Sequence, residues 1–186
     1  MNEKKFVFNY LNLYKESLFN QDVTDQIILL KKFLLKVKSK NKKIILAGNG
    51  GSAAISSHVS VDLTKVAKIR AINFNEADLL TCFSNDFGYE RWLEKAIEFY
   101  YSKGDLVILV SSSGESKNMI LGAKKAKKLG LKVVTFTGFK KNNSLKKLGD
   151  INFWLDSRAY NIIENTHLIW LLTTCDLIIG KAEYKA

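Results

Sequence analysis

The chain contains no proline, two cysteines and only three arginines among its 186 residues. Without proline, glycine and clusters of Asn, Asp and Ser must mark the turns. Cys82 and Cys175 form no CxxC motif and are too few for a disulfide framework, so we predict that both are buried thiols.

A long apolar run is also absent. No segment approaches the roughly eighteen uninterrupted apolar residues of a membrane-spanning helix. The amino terminus, MNEKKFVFNY, has charges where a signal peptide would carry its apolar core. We therefore expect a cytoplasmic protein without a membrane segment.

The charge is strongly positive, with a formal net charge of +11. The lysines cluster at 36–43, 124–128 and 140–147, as on helix ends and exposed helix faces. Readout of bases and phosphates favours the arginine fork, which is scarce here. We interpret the charge as a solvated lysine-rich surface with a preference for anionic small molecules, and expect no direct nucleic-acid binding.

The apolar pattern changes along the chain. Residues 4–19 and 24–39 have apolar positions at helical spacing, which predicts a helical pair. After them, short apolar runs alternate with helix-like stretches. The runs are 44–48, 69–74, 106–111, 132–138 and 151–155, and the helix-like stretches are 53–66, 88–101, 116–129 and 160–180. This alternation predicts one α/β domain over 1–186, with an N-terminal helical arm (1–43) and an α/β core (44–186) whose parallel sheet has helices on both faces.

Two loops that follow predicted strands have an unusual composition. They are GNGGS (48–52) and SSSGES (111–116). A loop of small hydroxyl residues that opens a helix offers backbone N–H groups, hydroxyl donors and the positive end of the helix dipole. One serine-rich turn is usually only a helix cap, and neither loop is a nucleotide-binding motif. Two such loops at corresponding strand ends predict a phosphate site.

These loops belong to a longer pattern. GNGGSAA followed by His58 and Asp62, then SNDFGYE (84–90), then SSSGES-KN (111–118), resembles the sugar-isomerase (SIS) domain family and, within it, the sedoheptulose 7-phosphate isomerases. The resemblance implies a three-layer, flavodoxin-like parallel sheet in a homotetramer with active sites at subunit interfaces. It also implies aldose–ketose isomerisation of a phosphosugar without an organic cofactor.

The resemblance also assigns binding residues. It places the substrate phosphate on Ser52 and the second serine loop, and the sugar against the first glycine loop and the SNDFGYE segment. The implied phosphate ligands are Ser52, Ser111, Ser112, Ser113 and Ser116, and the implied sugar contacts are Asn49, Gly50, Gly51, Asn85 and Asp86.

The implied catalytic residues depart from the family pattern. An enediol mechanism needs a base that moves a proton between adjacent carbons and a partner that serves the oxygens. The family's glutamate on the first crossover helix is Asp62 here, and Glu164 fits the first position on the last helix. Leu172 stands where the resemblance places a catalytic histidine. His167 is the remaining candidate acid or base, with helix packing as the alternative.

Some members of the family bind zinc, and the resemblance suggests a ligand set here. His58 and Asp62, four residues apart, share a helix face, and Glu164 would supply a third ligand. Three ligands and an open position describe a catalytic zinc site, although Leu172 leaves the family's own set incomplete.

Two classes of function therefore compete. The first is an isomerase that makes a heptose phosphate for lipopolysaccharide or capsule, with Asp62 as base and Glu164 or His167 as its partner. The second is a non-catalytic SIS domain that senses a phosphosugar or binds a protein, such as a replication-initiator regulator. An SIS transcription regulator is disfavoured, because the first 43 residues are too short for a helix-turn-helix module beside the helical pair.

Overall fold

The computed structural model describes residues 1–183 and contains a five-stranded parallel sheet. The strands are β1 (Ile44–Gly48), β2 (Ala71–Asn73), β3 (Leu106–Ser111), β4 (Lys132–Thr137) and β5 (Ile151–Trp154). The helices are α1 (Glu3–Phe19), α2 (Thr24–Ser39), α3 (Gly51–Lys65), α4 (Ala77–Phe87), α5 (Trp92–Tyr100), α6 (Lys117–Lys128) and α7 (Tyr160–Ile179), with a 3-10 turn at Lys146–Leu148.

The strand order is β2-β1-β3-β4-β5, and every neighbouring pair is parallel. This is the order of a flavodoxin-like sheet. All five residues of β1 and all six of β3 are buried, as expected for central strands covered on both faces. The predicted fold class is confirmed.

The two faces of the sheet carry separate apolar clusters. Ile44 and Leu46 of β1 point into a cluster with α2, α3 and α7, whereas Ile45 and Ala47 point into a cluster with α5 and α6. Because successive strand residues face opposite sides, the continuous apolar run IILA supplies both. The sheet is therefore the middle layer of three.

The N-terminal helical pair is part of the first cluster. Leu30, Leu34 and Val37 of α2 are buried in it. The division into an arm (1–43) and a core (44–186) stays a prediction, and the last three residues of that range lie outside the described part of the chain.

The predicted elements differ from the structure in three places. The run 69–74 forms only a three-residue strand, β2, and α3 begins at Gly51, inside the glycine loop, rather than at 53. Helix α4 was not predicted. None of its residues is fully buried, and Gly88 at φ 84 separates it from α5.

Helix α7 is long and apolar enough to cross a membrane. Its apolar side chains include Ile162, Ile163, Trp170 and Leu171, which are buried in the cluster that it shares with α2 and α3. Packing in this cluster accounts for the buried part of the apolar surface of α7.

Candidate active site

The two unusual loops lie side by side at one edge of the sheet. Gly48, the last residue of β1, is paired with Val110 of β3, so the loops after these strands leave the sheet next to each other. Strand β1 is flanked by β2 on one side and β3 on the other, which is where the direction of chain winding reverses. Ligands of open α/β sheets bind at this switch point.

A polar cavity of about 120 Å³ opens between the loops. We call it the serine pocket; it is lined by Asn49, Ser52, Ser111, Ser112, Ser113, Ser116, Tyr160 and Glu164. Ser52, Ser111 and Ser112 are buried to within a few per cent exposure. The Ser111 hydroxyl donates to the Ser116 oxygen at 3.2 Å, and among residues 1–183 no lysine or arginine lines the cavity.

Two helices begin at the serine pocket. Helix α3 starts at Gly51, within the first loop, and α6 starts at Lys117, directly after the second loop. The positive ends of their dipoles and the serine hydroxyls together suit an anion without a formal positive charge. The five predicted phosphate ligands are thus brought together in one cavity.

The glycines of the loops make room for this arrangement. A Cβ on Gly51 would collide with the Glu164 carboxylate, and a Cβ on Gly114 would collide with the Asn143 amide. Gly114 also has φ +67, which side chains rarely adopt. The Glu164 carboxylate therefore occupies the space that a side chain at position 51 would need, and the shape of the serine loop depends on Gly114.

Glu164 has few partners for a half-buried carboxylate. Its Oε1 accepts a long hydrogen bond, 3.5 Å, from the Ser112 hydroxyl. Burial raises the pKa of Glu164, and the Ser112 hydroxyl offsets part of that rise. A carboxyl group with a raised pKa, beside a polar cavity, is suited to proton transfer.

A second cavity of about 270 Å³ adjoins Glu164. We call it the histidine cavity; it is lined by Gly51, Ala54, Ile55, His58, Glu164, Asn165 and Leu168. Glu164 lines both cavities, so they meet at its carboxylate. The His58 Nε2 lies 3.4 Å from the Asp62 Oδ2 on the same face of α3.

His167 does not line either cavity. It is fully buried, its Nε2 is 3.1 Å from the Thr137 carbonyl oxygen, and burial lowers its pKa to about 4. Its ring packs edge-on against Phe136 and lies near Trp170. This geometry disfavours His167 as a catalytic acid or base, because an enclosed, neutral ring has no route to a substrate. It fits the alternative that His167 is a helix-packing residue.

Asn85 and Asp86 do not line either cavity in this chain. Both are exposed on α4, and the Asn85 amide donates to the Asp86 carboxylate at 2.9 Å. The same segment does reach the site through Tyr89, whose hydroxyl donates to the Asn49 Oδ1 at 3.2 Å. The sugar contacts predicted for Asn85 and Asp86 therefore stay predictions.

The predicted zinc ligands are not gathered into a cluster. Among residues 1–183 no group of three His, Cys, Asp or Glu side chains is placed to hold a metal ion. Asp62 is near Cys175, whose pKa is raised to about 12 by burial and by the charges of Asp62 and Asp176. Glu164 lies at the other end of α7, and Leu172 packs against the apolar core. The residues present therefore do not fit a zinc site made of His58, Asp62 and Glu164.

Three features of the site were not predicted. Tyr160 lines the serine pocket, Asn118 contacts Asn49, and His58 lines the histidine cavity. The quoted segment SSSGES-KN contains Asn118, which is the one signal that sequence reasoning passed over. The other two depend on how α3 and α7 pack.

Comparison with known proteins gives a consistent result. A model of the SIS domain matches residues 9–138. A phosphoheptose isomerase from Aliarcobacter butzleri is 33% identical, over 92% of this chain and 98% of the relative. A phosphoheptose isomerase from Helicobacter pylori is 30% identical, over 98% of this chain and 96% of the relative.

Solved structures share the fold. A phosphoheptose isomerase from Francisella tularensis superposes with a TM-score of 0.89 over 97% of this chain and all of the other, at 20% identity. One from Neisseria gonorrhoeae gives 0.87 over 96% and 99%, at 21% identity. The chain belongs to the SIS domain family and, within it, to the phosphoheptose isomerases.

Proposed function

We propose that this protein is a phosphosugar aldose–ketose isomerase whose substrate is sedoheptulose 7-phosphate. The observation that carries the proposal is the serine pocket at the switch point of the sheet, joined through Glu164 to a cavity that contains His58. The names of the relatives support the choice of a heptose phosphate.

The serine pocket would hold the phosphate. Its hydroxyl groups and the first turns of α3 and α6 would donate to phosphate oxygens and would position the phosphate by hydrogen bonds. The carbon chain would then run past Glu164 into the histidine cavity, so that the reacting carbons lie away from the phosphate.

Glu164 and the His58–Asp62 pair would move the protons. In the forward direction a base removes a proton from C1 of the ketose, and O2 is protonated as the electron pair forms the enediol. A proton then returns to C2 while the O1 proton is lost, which gives the aldose. The Asp62 carboxylate lies 3.4 Å from the His58 ring and would orient the imidazole. His58 thereby takes the acid–base role that Leu172 cannot supply, with Asp62 as its orienting carboxylate.

A non-catalytic role is the second candidate, and Leu172 is the observation that favours it. The residue packs against the apolar core at the position where the resemblance calls for a catalytic histidine. A phosphosugar sensor or a protein-binding scaffold would keep the serine pocket without the proton-transfer groups. Binding without exchange of substrate protons would support this alternative.

The cellular setting follows from the proposed reaction. A heptose phosphate made by this enzyme would feed cytoplasmic synthesis of lipopolysaccharide or capsule heptose. The exposed apolar side chains of α1, which include Phe6, Phe8, Leu11 and Phe19, support a homo-oligomer, with a tetramer as the expected state.

The deciding experiment follows deuterium uptake from solvent. The protein is incubated with sedoheptulose 7-phosphate in deuterated water, and aldose formation and labelling at C1 and C2 are read by NMR. We expect labelling by the wild type, and its loss in Glu164→Ala and His58→Ala but not in Asp25→Ala, which removes an exposed carboxylate from α2. Binding of the sugar with no labelling would contradict the isomerase proposal.

A further inference from the structure

Two asparagine side chains pair face to face beside the serine pocket. The Asn49 Nδ2 donates to the Asn118 Oδ1 at 3.1 Å, and the Asn118 Nδ2 donates back to the Asn49 Oδ1 at 2.8 Å. Asn49 lines the pocket, whereas Asn118 is only 2% exposed in the first turn of α6. The buried amide therefore contacts a residue of the site from behind.

A backbone group sets the direction of this pair. The Met119 N–H donates to the Asn118 Oδ1 at 3.0 Å. A backbone N–H can only donate, so the oxygen of Asn118 must face it and the amide nitrogen must face the Asn49 oxygen. An unrestrained asparagine can exchange its oxygen and nitrogen by rotation, but here the rotation would bring two oxygens and two nitrogens together.

The hydrogen bonds leave Asn49 with one unused group. Its Oδ1 accepts from the Asn118 amide and from the Tyr89 hydroxyl, 3.2 Å away, which uses both lone pairs. Its Nδ2 has two N–H groups; one donates to Asn118, and the other has no partner within residues 1–183. The side chain can therefore donate to a ligand, but it has no acceptor left to offer.

We propose that Asn118 is a positioning residue that fixes the Asn49 amide so that its free N–H, and not its oxygen, is presented to an oxygen of the bound phosphosugar. Tyr89 completes the arrangement by closing the carbonyl side of Asn49 and tying the α4–α5 connection to the pocket. The identity of the ligand rests on the proposed function, whereas the direction of the amide pair rests on the contacts alone.

Asn118→Asp tests the pair with little change of shape. A carboxylate still accepts from Met119 and from the Asn49 Nδ2, but it cannot donate to the Asn49 Oδ1 and places two oxygens in contact. We expect the Kd for inorganic phosphate and the KM for sedoheptulose 7-phosphate to rise about tenfold, as for the loss of one hydrogen bond of about 1.4 kcal/mol, with kcat within about threefold.

Asn152→Asp is the matched control. Asn152 of β5 also has a paired amide, which donates to the Gly149 carbonyl at 3.1 Å and accepts from the Thr135 hydroxyl at 2.5 Å, and it lines neither cavity. We expect this variant to bind phosphate as the wild type does. An Asn118→Asp variant with unchanged Kd and KM would overturn the proposal.

A ligand-free readout separates this inference from the proposed function. The side-chain amide resonances of Asn49 can be assigned by their loss in Asn49→Asp. They should shift in Asn118→Asp and stay in place in Asn152→Asp. Unshifted Asn49 resonances in Asn118→Asp would overturn the inference. A wild type that binds neither phosphate nor the sugar would refute the proposed function but leave this readout intact.

Tyr89→Phe tests the same arrangement at an exposed residue, in case Asn118→Asp disturbs folding. Tyr89 is exposed, and the change removes only its hydroxyl. We expect the Asn49 resonances to shift and the Kd for phosphate to rise about twofold to threefold, as for an exposed hydrogen bond of about 0.5 kcal/mol. If neither quantity changes, Tyr89 does not hold the Asn49 carbonyl.

Discussion

Glu164 and His167 lie three residues apart on α7 and on roughly the same side of the helix, yet their surroundings differ in kind. Glu164 lines both cavities and has one long hydrogen bond, to Ser112 at 3.5 Å. His167 has no exposed surface, and its Nε2 is held by the Thr137 carbonyl. One group is open to the two cavities, and the other is enclosed.

The difference comes from position along the helix axis. Three residues correspond to a rise of about 4.5 Å. This rise along α7 is enough to pass the edge of the sheet. His167 contacts Thr137, the last residue of β4. Glu164 contacts Ser112, one residue beyond β3. Beside the strands a side chain is enclosed by the core, and beyond them it lines the cavities.

The largest expected effect is on turnover. Glu164→Ala should lower kcat about a thousandfold, the range of a lost general acid or base, without loss of folding stability at pH 7. His167→Gln, which keeps a neutral donor for the Thr137 carbonyl, should leave kcat within about threefold when rates are normalised to folded protein. Initial rates and urea unfolding of both variants check this. A large loss of kcat in His167→Gln would restore it as a catalytic candidate.

The second effect is the response of stability to acid. The pKa of His167 is lowered from 6.5 to about 4, so between these values the unfolded chain binds the proton and the folded chain does not. Stability from this residue is therefore present above about pH 6.5 and falls as the pH drops, by about 3 kcal/mol at pH 4.

Urea unfolding from pH 7 to pH 4 measures this loss as the difference between the wild type and His167→Gln. The variant should lack that part of the pH dependence. His58→Gln is the control, because His58 is half-exposed and its removal should leave the acid-dependent loss in place. Equal slopes for wild type and His167→Gln would show that the ring is not enclosed in solution.

The sequence predicted most of the fold because the central strands are buried on both faces. Such strands are continuous apolar runs, and their ends can be read to within a residue, as for β1 and β3. The prediction missed helix α4 even though its apolar residues follow helical spacing. The serine pocket could be predicted because both loops directly follow strands, and the carboxyl ends of parallel strands meet at one edge of the sheet.

The rest of the site depends on contacts that sequence spacing does not encode. Asn49 and Asn118 are 69 residues apart and meet because β1 and β3 are neighbours. Helical periodicity places Glu164 and His167 on one side of α7 but does not say which of them passes the edge of the sheet. The zinc hypothesis likewise required Asp62 and Glu164 to converge, whereas they lie toward opposite ends of the contact between α3 and α7.

The smallest expected effect is the pH dependence of folding stability caused by Glu164, which has the opposite sign to that caused by His167. Burial raises the pKa of Glu164 above its usual 4.5, so the folded protein favours the protonated carboxyl. The stability that this provides is complete below about pH 4.5 and is lost as the pH rises through the folded-state pKa.

Glu164→Gln should therefore be more stable than the wild type at pH 7, and the gap should close as the pH falls toward 4. Because His167 is present in both proteins, its contribution cancels in the difference, and urea unfolding at matched pH values isolates the carboxyl group. A gap that stays constant with pH would mean that Glu164 is fully solvated. Addition of inorganic phosphate should widen the gap at pH 7, because an anion in the serine pocket lies beside the carboxylate and penalises its charge further.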